Sequence, residues 1–283
     1  MEKFVQRAKT LIEALPYIKK FNSKTIVFKY GGSIGSKDFS NFARDIVLMK
    51  LVGINPVIVH GGGAEISKVL KSLKIESNFI DGLRVTCPKT MEVVEMVLGG
   101  KVNKEIVSKI IMNGGKSVGI SGKDGGFLRV KKVKASKKSQ DLGRVGEITK
   151  VDIKLITELQ DNGYIPVVAP IGSNNKGISY NINADHAASK IASSLKAEKL
   201  IILTDVPGIQ DEKGKLISSI TKKTANSLIR KGVIAKGMVP KVKCLVQALM
   251  DGVNKAHIID GRIPHAVILE TFTDSGIGTE ILL

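Results

Sequence analysis

Two short apolar runs near the amino terminus each end in glycines, and each is followed by a helix-period pattern. Thr25-Ile26-Val27-Phe28 stops at Gly31-Gly32, ahead of a helix expected over Phe39–Val52. Pro56–Val59 stops at Gly61-Gly62-Gly63, ahead of a helix expected over Ala64–Leu73. Continuous apolar runs this short predict buried strands, and strand–turn–helix repeated twice predicts a βαβ unit with parallel strands. Such units are right-handed, so both glycine turns fall on the carboxyl edge of one sheet and face a common crevice. Backbone N–H groups at a glycine turn that opens a helix attract anions, and the missing Cβ lets a ligand approach closely. Lys29 stands at the end of the first strand and reaches the same crevice. Either turn alone would be no more than a turn. The two together, with the lysine, describe a cradle for a phosphoryl group.

The alternation continues along the chain. Helices are expected over Lys89–Leu98 and Val102–Met112, separated by Gly99-Gly100, then a strand over Ser117–Ile120. A β-hairpin region at Phe127–Val151 follows, then a helix over Ile153–Asn162 and a strand over Tyr164–Ala169. Ala184–Leu195 reads as a helix, Lys199–Thr204 as a strand, Thr224–Lys231 and Val239–Asp251 as helices, and Ala256–Ile259 and Thr279–Leu283 as strands. Met1–Lys20 reads as one amphipathic helix with Phe4, Ala8, Leu11, Ile12 and Leu15 on a stripe, bent or ended at Pro16. The fold class is therefore α/β with a mainly parallel sheet. There is no repeat and no low-complexity linker. The natural divisions are an amino-terminal helix at residues 1–22, a lobe at 23–196 and a second lobe at 197–283.

Charge and cysteine content narrow the function classes. The net charge is +18, yet only seven of the 44 basic residues are arginine, and the lysines are spread over the chain apart from one run at Lys131–Lys138. A nucleic-acid footprint concentrates its charge and favours arginine forks, so a solvated lysine-rich surface is the better reading and no nucleic-acid partner is expected. Two cysteines, Cys87 and Cys244, make no disulfide framework, and neither a structural metal nor an oxidising compartment is expected. No apolar run is long enough to span a bilayer, and residues 1–20 lack the uninterrupted apolar stretch of a secretory signal. A cytoplasmic protein is expected, or one of the plastid stroma if its gene is organelle-encoded.

Common nucleotide and hydrolase motifs do not fit. Gly115-Lys116-Ser117 has the tail of a Walker A loop without its first glycine, and Lys116 enters a strand. No Gly-x-Gly-x-x-Gly stands at a strand-to-helix turn, against a dinucleotide fold. Gly31-Gly32-Ser33-Ile34-Gly35 with His60-Gly61-Gly62-Gly63 imitates a serine hydrolase, but the oxyanion segment follows the serine here rather than preceding it.

Seven segments occur in order and carry a resemblance. They are Lys29-Tyr30-Gly31-Gly32, His60-Gly61-Gly62-Gly63, Gly82-Leu83-Arg84-Val85-Thr86, Ser121-Gly122-Lys123-Asp124-Gly125, Tyr180-Asn181-Ile182-Asn183-Ala184-Asp185, Leu203-Thr204-Asp205-Val206-Pro207-Gly208 and Lys236-Gly237-Met238-Val239-Pro240-Lys241. From about Thr25 onward the chain resembles the acetylglutamate kinases, a branch of the amino acid kinase family. The resemblance implies a three-layer αβα sandwich, with the acyl substrate in the first lobe and the nucleotide in the second. It implies transfer of the γ-phosphoryl group of ATP, carried with Mg²⁺, to the γ-carboxylate of N-acetyl-L-glutamate, without a covalent enzyme intermediate. Lys29 and Lys241 would neutralise the moving phosphoryl group from its two sides, Asp185 would hold the lysines in place, and Gly32 and Gly62 would donate N–H bonds to its oxygens. Gly62, Gly63, Arg84, Asn181 and Asn183 would bind the acyl substrate, with Arg84 on its unreactive carboxylate. Thr204, Asp205, Val206, Gly208, Ile209, Lys236, Gly237 and Met238 would bind the nucleotide. Lys236 stands where the family often has glycine. No protein metal site is implied.

The amino-terminal extension and the segments His265, Glu270–Thr273 and Gly276–Thr279 resemble the arginine-inhibited branch of the family. There the amino-terminal helices link dimers into a hexamer, and arginine binds beside them. Tyr17, His265, Glu270 and Gly276 would form that site. A PII-type signalling protein is an admissible partner if the source is photosynthetic. Three other readings stand beside this one. Another carboxylate or carbamate kinase of the same fold would differ in substrate. A non-catalytic arginine or nucleotide sensor would be expected to lack Lys29, Asp185 or Lys241. A basic nucleic-acid binder would show salt-sensitive retention on DNA without kinase activity.

Overall fold

In the computed structural model residues 1–31, 36–133, 141–235, 237–274 and 276–283 are described. In chain order the elements are α1 (Glu2–Glu13), α2 (Leu15–Phe21), β1 (Thr25–Tyr30), α3 (Ser36–Leu51), β2 (Asn55–His60), α4 (Gly63–Ser72), β3 (Phe79–Ile80), β4 (Leu83–Arg84) and α5 (Pro88–Glu95). A π-helical segment, Met96–Val102, joins α5 to α6 (Asn103–Met112), and β5 (Ser117–Ser121), β6 (Leu128–Lys132), β7 (Gly146–Val151) and α7 (Lys154–Asp161) follow. Then come β8 (Ile165–Ala169), β9 (Ile171–Ser173), β10 (Ser179–Asn181), α8 (Ala184–Ser194), β11 (Lys199–Thr204), β12 (Ser219–Thr221), α9 (Lys222–Arg230), α10 (Met238–Met250), β13 (Lys255–Asp260), α11 (Ala266–Phe272) and β14 (Thr279–Leu282).

Eight strands form one sheet in the order β12-β14-β13-β11-β1-β2-β8-β5. All neighbours are parallel except β13 and β14. The strands before α8 and those after it meet at the β1–β11 pair, where Lys29 lies opposite Ile202. Strand periodicity sorts the core into two layers. Val27, Val57 and Val59 pack against Ala187, Ala188 and Ile191 of α8 and Leu245 of α10. Ile26, Phe28, Tyr30 and Ile58 pack on the other face against Phe39, Phe42 and Ile46 of α3, Ile106 and Ile110 of α6, and Val267 of α11. The period of two therefore puts Lys29 on the face of α8 and α10, and His60 on the face of α6. A second sheet, in the order β10-β9-β6-β7, contains the expected hairpin and carries Asn181 at its edge.

Three expectations about elements change. Residues 1–20 form two helices rather than one: the break is at Ala14, and Pro16 sits in the first turn of α2, where a missing N–H costs nothing. Gly99 and Gly100 do not separate two helices. They lie inside the π-helical segment, which lets α5 and α6 run on. Helix α11, preceded by His265 in the left-handed region at φ 60°, was not expected at all. Gly32 and Lys236 lie outside the described residues.

Candidate active site

β1 and β2 end side by side, Tyr30 opposite His60, and the Gly61 N–H donates to the Tyr30 carbonyl at 2.9 Å. The two glycine turns thus leave the sheet as neighbours. Helix α8 points its amino terminus at the same edge. Its cap is Asn183, whose side chain accepts the N–H groups of Asp185 (3.0 Å) and His186 (3.1 Å). That cap fixes Asp185 in the first helical turn. Lys241 occupies the first turn of α10, which packs on α8.

The three charged residues meet. Lys29 Nζ lies 2.9 Å from Asp185 Oδ1, and Lys241 Nζ donates to Asp185 Oδ2 at 2.7 Å. The Lys29 contact is not aligned as a hydrogen bond, and Oδ1 has no hydrogen-bond donor among the described residues. Asp185 is 5% exposed and Lys29 7%. Burial raises the Asp185 carboxyl, but Lys29 and Lys241 together outweigh it and hold the group below the usual carboxylate range. Burial pulls the Lys29 ammonium down, opposed by Asp185 and helped by Lys241. A buried carboxylate between two ammonium groups leaves one positive charge in excess, facing the crevice.

A pocket of about 180 Å³ adjoins this cluster, lined by Gly61, Gly62, Gly63, Gly82, Arg84, Asn181 and Asn183 among polar and small groups, and by Ile66, Leu98, Val145 and Ile182. Arg84 is held from three sides. It donates to Ser77 Oγ, to Ser67 Oγ at 2.9 Å and to the Gly63 carbonyl at 2.9 Å, and its guanidinium stacks 4.6 Å from the centre of the Phe79 ring. None of these partners is anionic, and no carboxylate among the described residues is in ion-pair reach of it. An oriented, buried and unneutralised guanidinium selects a carboxylate ligand. Asn181 donates to Thr86 Oγ1 at 3.2 Å, and that hydroxyl donates to the Arg84 carbonyl at 2.7 Å, tying the two pocket walls together. Asn183 lines the pocket, but its side-chain oxygen is used in capping α8.

The segment expected to bind the nucleotide divides. Thr204 ends β11 with its hydroxyl 3.2 Å from Asp205 Oδ1, and Asp205 and Val206 are exposed at the sheet edge. Gly208 and Ile209 turn inward instead. Ile209 is buried and its N–H donates to Thr279 Oγ1 at 2.9 Å. At Gly208, φ is +145° and a Cβ would stand 2.7 Å from Leu216. These two residues dock the turn on β14. Gly237 and the start of α10 face Asp81 and Gly82 across a surface depression, so the segment before Lys241 looks towards the substrate side.

A second cavity, of about 260 Å³, lies beside α2 and is lined by Tyr17, Glu270 and Gly276 together with Lys199, Lys255, His257 and Asp274. His265 does not line it. The ring belongs to the start of α11 and is drawn to α3, where Nδ1 lies 2.7 Å from Asp45 Oδ1. His257, in the middle of β13, takes the expected place, with Nδ1 2.7 Å from Glu270 Oε1. Burial raises the Glu270 carboxyl, but His257, the Ile277 N–H and Lys199 hold it low. Ser67 and Ser77 around Arg84, and Lys199, Lys255 and His257 here, were not singled out from the sequence, and Thr86 was read only as part of the Gly82–Thr86 segment. The only available hint was a histidine and two lysines within or beside strands of otherwise buried residues.

The amino acid kinase family model matches residues 24–260. The chain belongs to the amino acid kinase family. The acetylglutamate kinase of Geotalea uraniireducens (strain Rf4) is 53% identical over 291 aligned positions, covering 100% of both chains. Among solved structures, the N-acetylglutamate synthase of Neisseria gonorrhoeae complexed with coenzyme A and N-acetyl-glutamate superposes with a TM-score of 0.88 at 26% identity. This chain is covered over 98% of its length but spans 63% of that synthase. The same synthase complexed with coenzyme A and L-arginine gives a TM-score of 0.85 at 25% identity, over 97% of this chain and 65% of that one. The cluster of Lys29, Asp185 and Lys241 brings together β1 and the first turns of α8 and α10.

Proposed function

We propose that this kinase transfers the γ-phosphoryl group of ATP to the γ-carboxylate of N-acetyl-L-glutamate, giving ADP and N-acetyl-L-glutamyl 5-phosphate in arginine biosynthesis. The observation that carries the reading is the carboxylate of Asp185 between Lys29 and Lys241, next to a pocket whose guanidinium has no anionic partner among the described residues. In the proposed complex Arg84 takes the α-carboxylate, Asn181 and the Gly62-Gly63 backbone take polar groups of the acetamido end, and the apolar wall of Ile66 and Leu98 takes carbon. The γ-carboxylate then points at the lysines. One of its oxygens attacks the γ-phosphorus, and the bond to the β-bridging oxygen breaks, leaving ADP. Lys29 and Lys241 compensate charge on the equatorial oxygens from opposite sides, and the Gly62 N–H donates to them, a role the resemblance also gives Gly32, outside the described residues. Thr204, Asp205, Val206, Gly237 and Met238 hold the nucleotide, and the resemblance assigns Lys236, outside the described residues, to the same group. Gly208 and Ile209 act by docking that turn. Among the described residues no cluster of three or more His, Cys, Asp or Glu is placed to hold a metal ion. The family resemblance puts Mg²⁺ on the phosphates of ATP, where it would supply further charge compensation.

Feedback by L-arginine at the cavity beside α2 belongs to the same proposal. The cavity offers Glu270, Asp274 and Glu280 to a guanidinium and Lys199 and Lys255 to a carboxylate. Tyr17 donates to Asp274, so α2 closes one wall. Leu11 and Ile12 of α1 are 75% and 68% exposed. A second copy of α1 is the proposed cover, linking dimers into a hexamer. Among the described residues no helix is long and apolar enough to cross a membrane.

The test is ATP-dependent hydroxamate formation from N-acetylglutamate, glutamate, aspartate and carbamate, with and without L-arginine. Product from N-acetylglutamate alone, suppressed by arginine, supports both parts. Product from another acid moves the substrate within the family. Removing residues 1–20 is expected to abolish arginine inhibition and leave an active dimer; inhibition that survives the deletion refutes the control reading.

A further inference from the structure

His60 is fully buried at the carboxyl end of β2 and faces α6, away from Lys29. A buried polar ring beside a reaction centre calls for an account of both its nitrogens. Nε2 lies 3.2 Å from Nδ2 of Asn103, and Nδ1 lies 2.9 Å from the carbonyl oxygen of Gly61. The neighbours of Asn103 fix which atom is which. Its Nδ2 also donates to the Val167 carbonyl at 2.9 Å and faces the Ile120 carbonyl at 3.5 Å, while its Oδ1 accepts from Lys104 Nζ at 3.2 Å. With acceptors on one side and an ammonium on the other, the amide has one satisfactory orientation. Nδ2 is then a donor to Nε2, so Nε2 carries no proton. Nδ1 carries it and donates to the Gly61 oxygen.

The Gly61 oxygen belongs to the peptide that also carries the Gly62 N–H. That peptide is trans, as all those described are, so its N–H points away from the ring that holds its carbonyl. No partner for the Gly62 N–H is found among the described residues. The neighbouring Leu98 closes the other side, since a Cβ on Gly62 would stand 2.4 Å from Leu98 Cδ2.

We propose that Asn103 and His60 are positioning residues, forming a relay that fixes the Gly61–Gly62 peptide plane and so aims the Gly62 N–H at the phosphoryl group in transfer. The inference rests on the functional reading above. It gives His60 a fixed tautomer and no contact with substrate. Burial supports this by depressing the imidazole to a pKa of about 4, so the ring stays neutral in the working range. The relay also explains why a polar residue is buried at the start of α6. Asn103 reaches carbonyls of β8 and β5 and carries their position to the glycine turn.

Two readouts test the relay. In full-length protein labelled with ¹⁵N-histidine, the His60 ring is expected as the Nδ1–H tautomer, unchanged from pH 8 to 6. An Nε2–H tautomer, or a ring that titrates in that window, overturns the proposal whatever the activity. The second readout is kinetic. An asparagine side chain can present an N–H where Nδ1–H stood, whereas a glutamine reaches the position of Nε2 instead. His60→Asn is expected to keep kcat within a few-fold, and His60→Gln and Asn103→Leu to lower it by about 10- to 100-fold, short of the loss of a whole oxyanion donor. KM for N-acetylglutamate is expected to move about twofold or less. Equal losses in His60→Asn and His60→Gln, tracking only thermal stability, reduce the pair to packing and overturn the relay. A wild-type protein that forms no acyl phosphate from N-acetylglutamate refutes the functional reading instead, and leaves the tautomer result to judge the geometry.

Discussion

Replacing Asp185 by asparagine removes the one negative charge between two ammonium groups and changes little in shape. Both lysine nitrogens are within 2.9 Å of the carboxylate, and all three residues are largely withdrawn from water. Each contact carries roughly 6 kcal/mol of direct attraction at an effective dielectric constant of about 20, most of it offset by the desolvation of the ions. Breaking such a buried pair typically destabilises by about 3–5 kcal/mol, because the partner charges stay buried. At about 2–4 °C per kcal/mol for a chain approaching this size, even 3 kcal/mol lowers Tm by roughly 6–12 °C. The lysines then move apart, and a displacement of about 1 Å at a reacting group costs on the order of 100-fold in rate. The expected kcat is therefore lower by about 10²–10³, measured at 25 °C on protein shown to be folded by circular dichroism. Pairing Asp185→Asn with Lys29→Met separates the two effects. Removing one ammonium relieves the repulsion, so the double variant should regain part of the lost Tm and none of the lost activity. An Asp185→Asn enzyme with kcat within threefold of wild type would refute the idea that this carboxylate organises the lysines.

Other outcomes follow from the same geometry. Arg84→Lys keeps the charge and loses the planar fork held by Ser67, Ser77 and Gly63, so KM for N-acetylglutamate should rise about 10- to 100-fold with a smaller change in kcat, read from initial rates. Gly62→Ala puts a methyl 2.4 Å from Leu98, and because Leu98 is itself buried the backbone is what yields; the expected loss in kcat is about 100-fold or more, measured on protein shown to be folded, with a loss of unfolding free energy in urea of about 1–3 kcal/mol. His60 is neutral when folded, with its pKa lowered to about 4 from 6.5, so the unfolded chain takes up its proton first as the pH falls. The stability it contributes is present above pH 6.5 and lost between there and about 4, worth roughly 3 kcal/mol. Asp45, raised to about 6 by burial against the opposing pull of His265, works in the reverse sense between pH 6 and 4, so the His60 part is isolated as the difference in urea stability between wild type and His60→Asn across that range.

Much of this molecule is legible before any coordinates, for identifiable reasons. β1, β2, β8 and β11 are continuous apolar runs because both faces of a parallel sheet are covered, and a glycine turn marks the end of the first two. Lys29 could be placed on the crevice from its position at a strand end alone. The meeting of Lys29, Asp185 and Lys241 could not, since local pattern says nothing of which helix amino termini share a sheet edge. Only the order of motifs carried it. The glycine pair at residues 99–100 misled because glycine breaks an isolated helix, whereas here the π-helical segment is held by Leu98 packing over Gly62. Helix α11 is only seven residues, two of them polar, too short for any period to show. The serines that orient Arg84 and the asparagine that orients His60 bear no sequence signature, because their role lies in which backbone and side-chain groups happen to face them.

The most direct test of the account uses N-acetylglutamate labelled with ¹⁸O in its γ-carboxylate. If a carboxylate oxygen attacks the γ-phosphorus of ATP, the acyl phosphate carries the label in its bridging position. Hydroxylamine then attacks the acyl carbon and releases phosphate containing one ¹⁸O, visible as an isotope shift in the ³¹P spectrum. Labelled phosphate in step with ADP is the predicted result. Unlabelled phosphate accompanying ADP would mean that water, and not the substrate carboxylate, receives the phosphoryl group in this crevice.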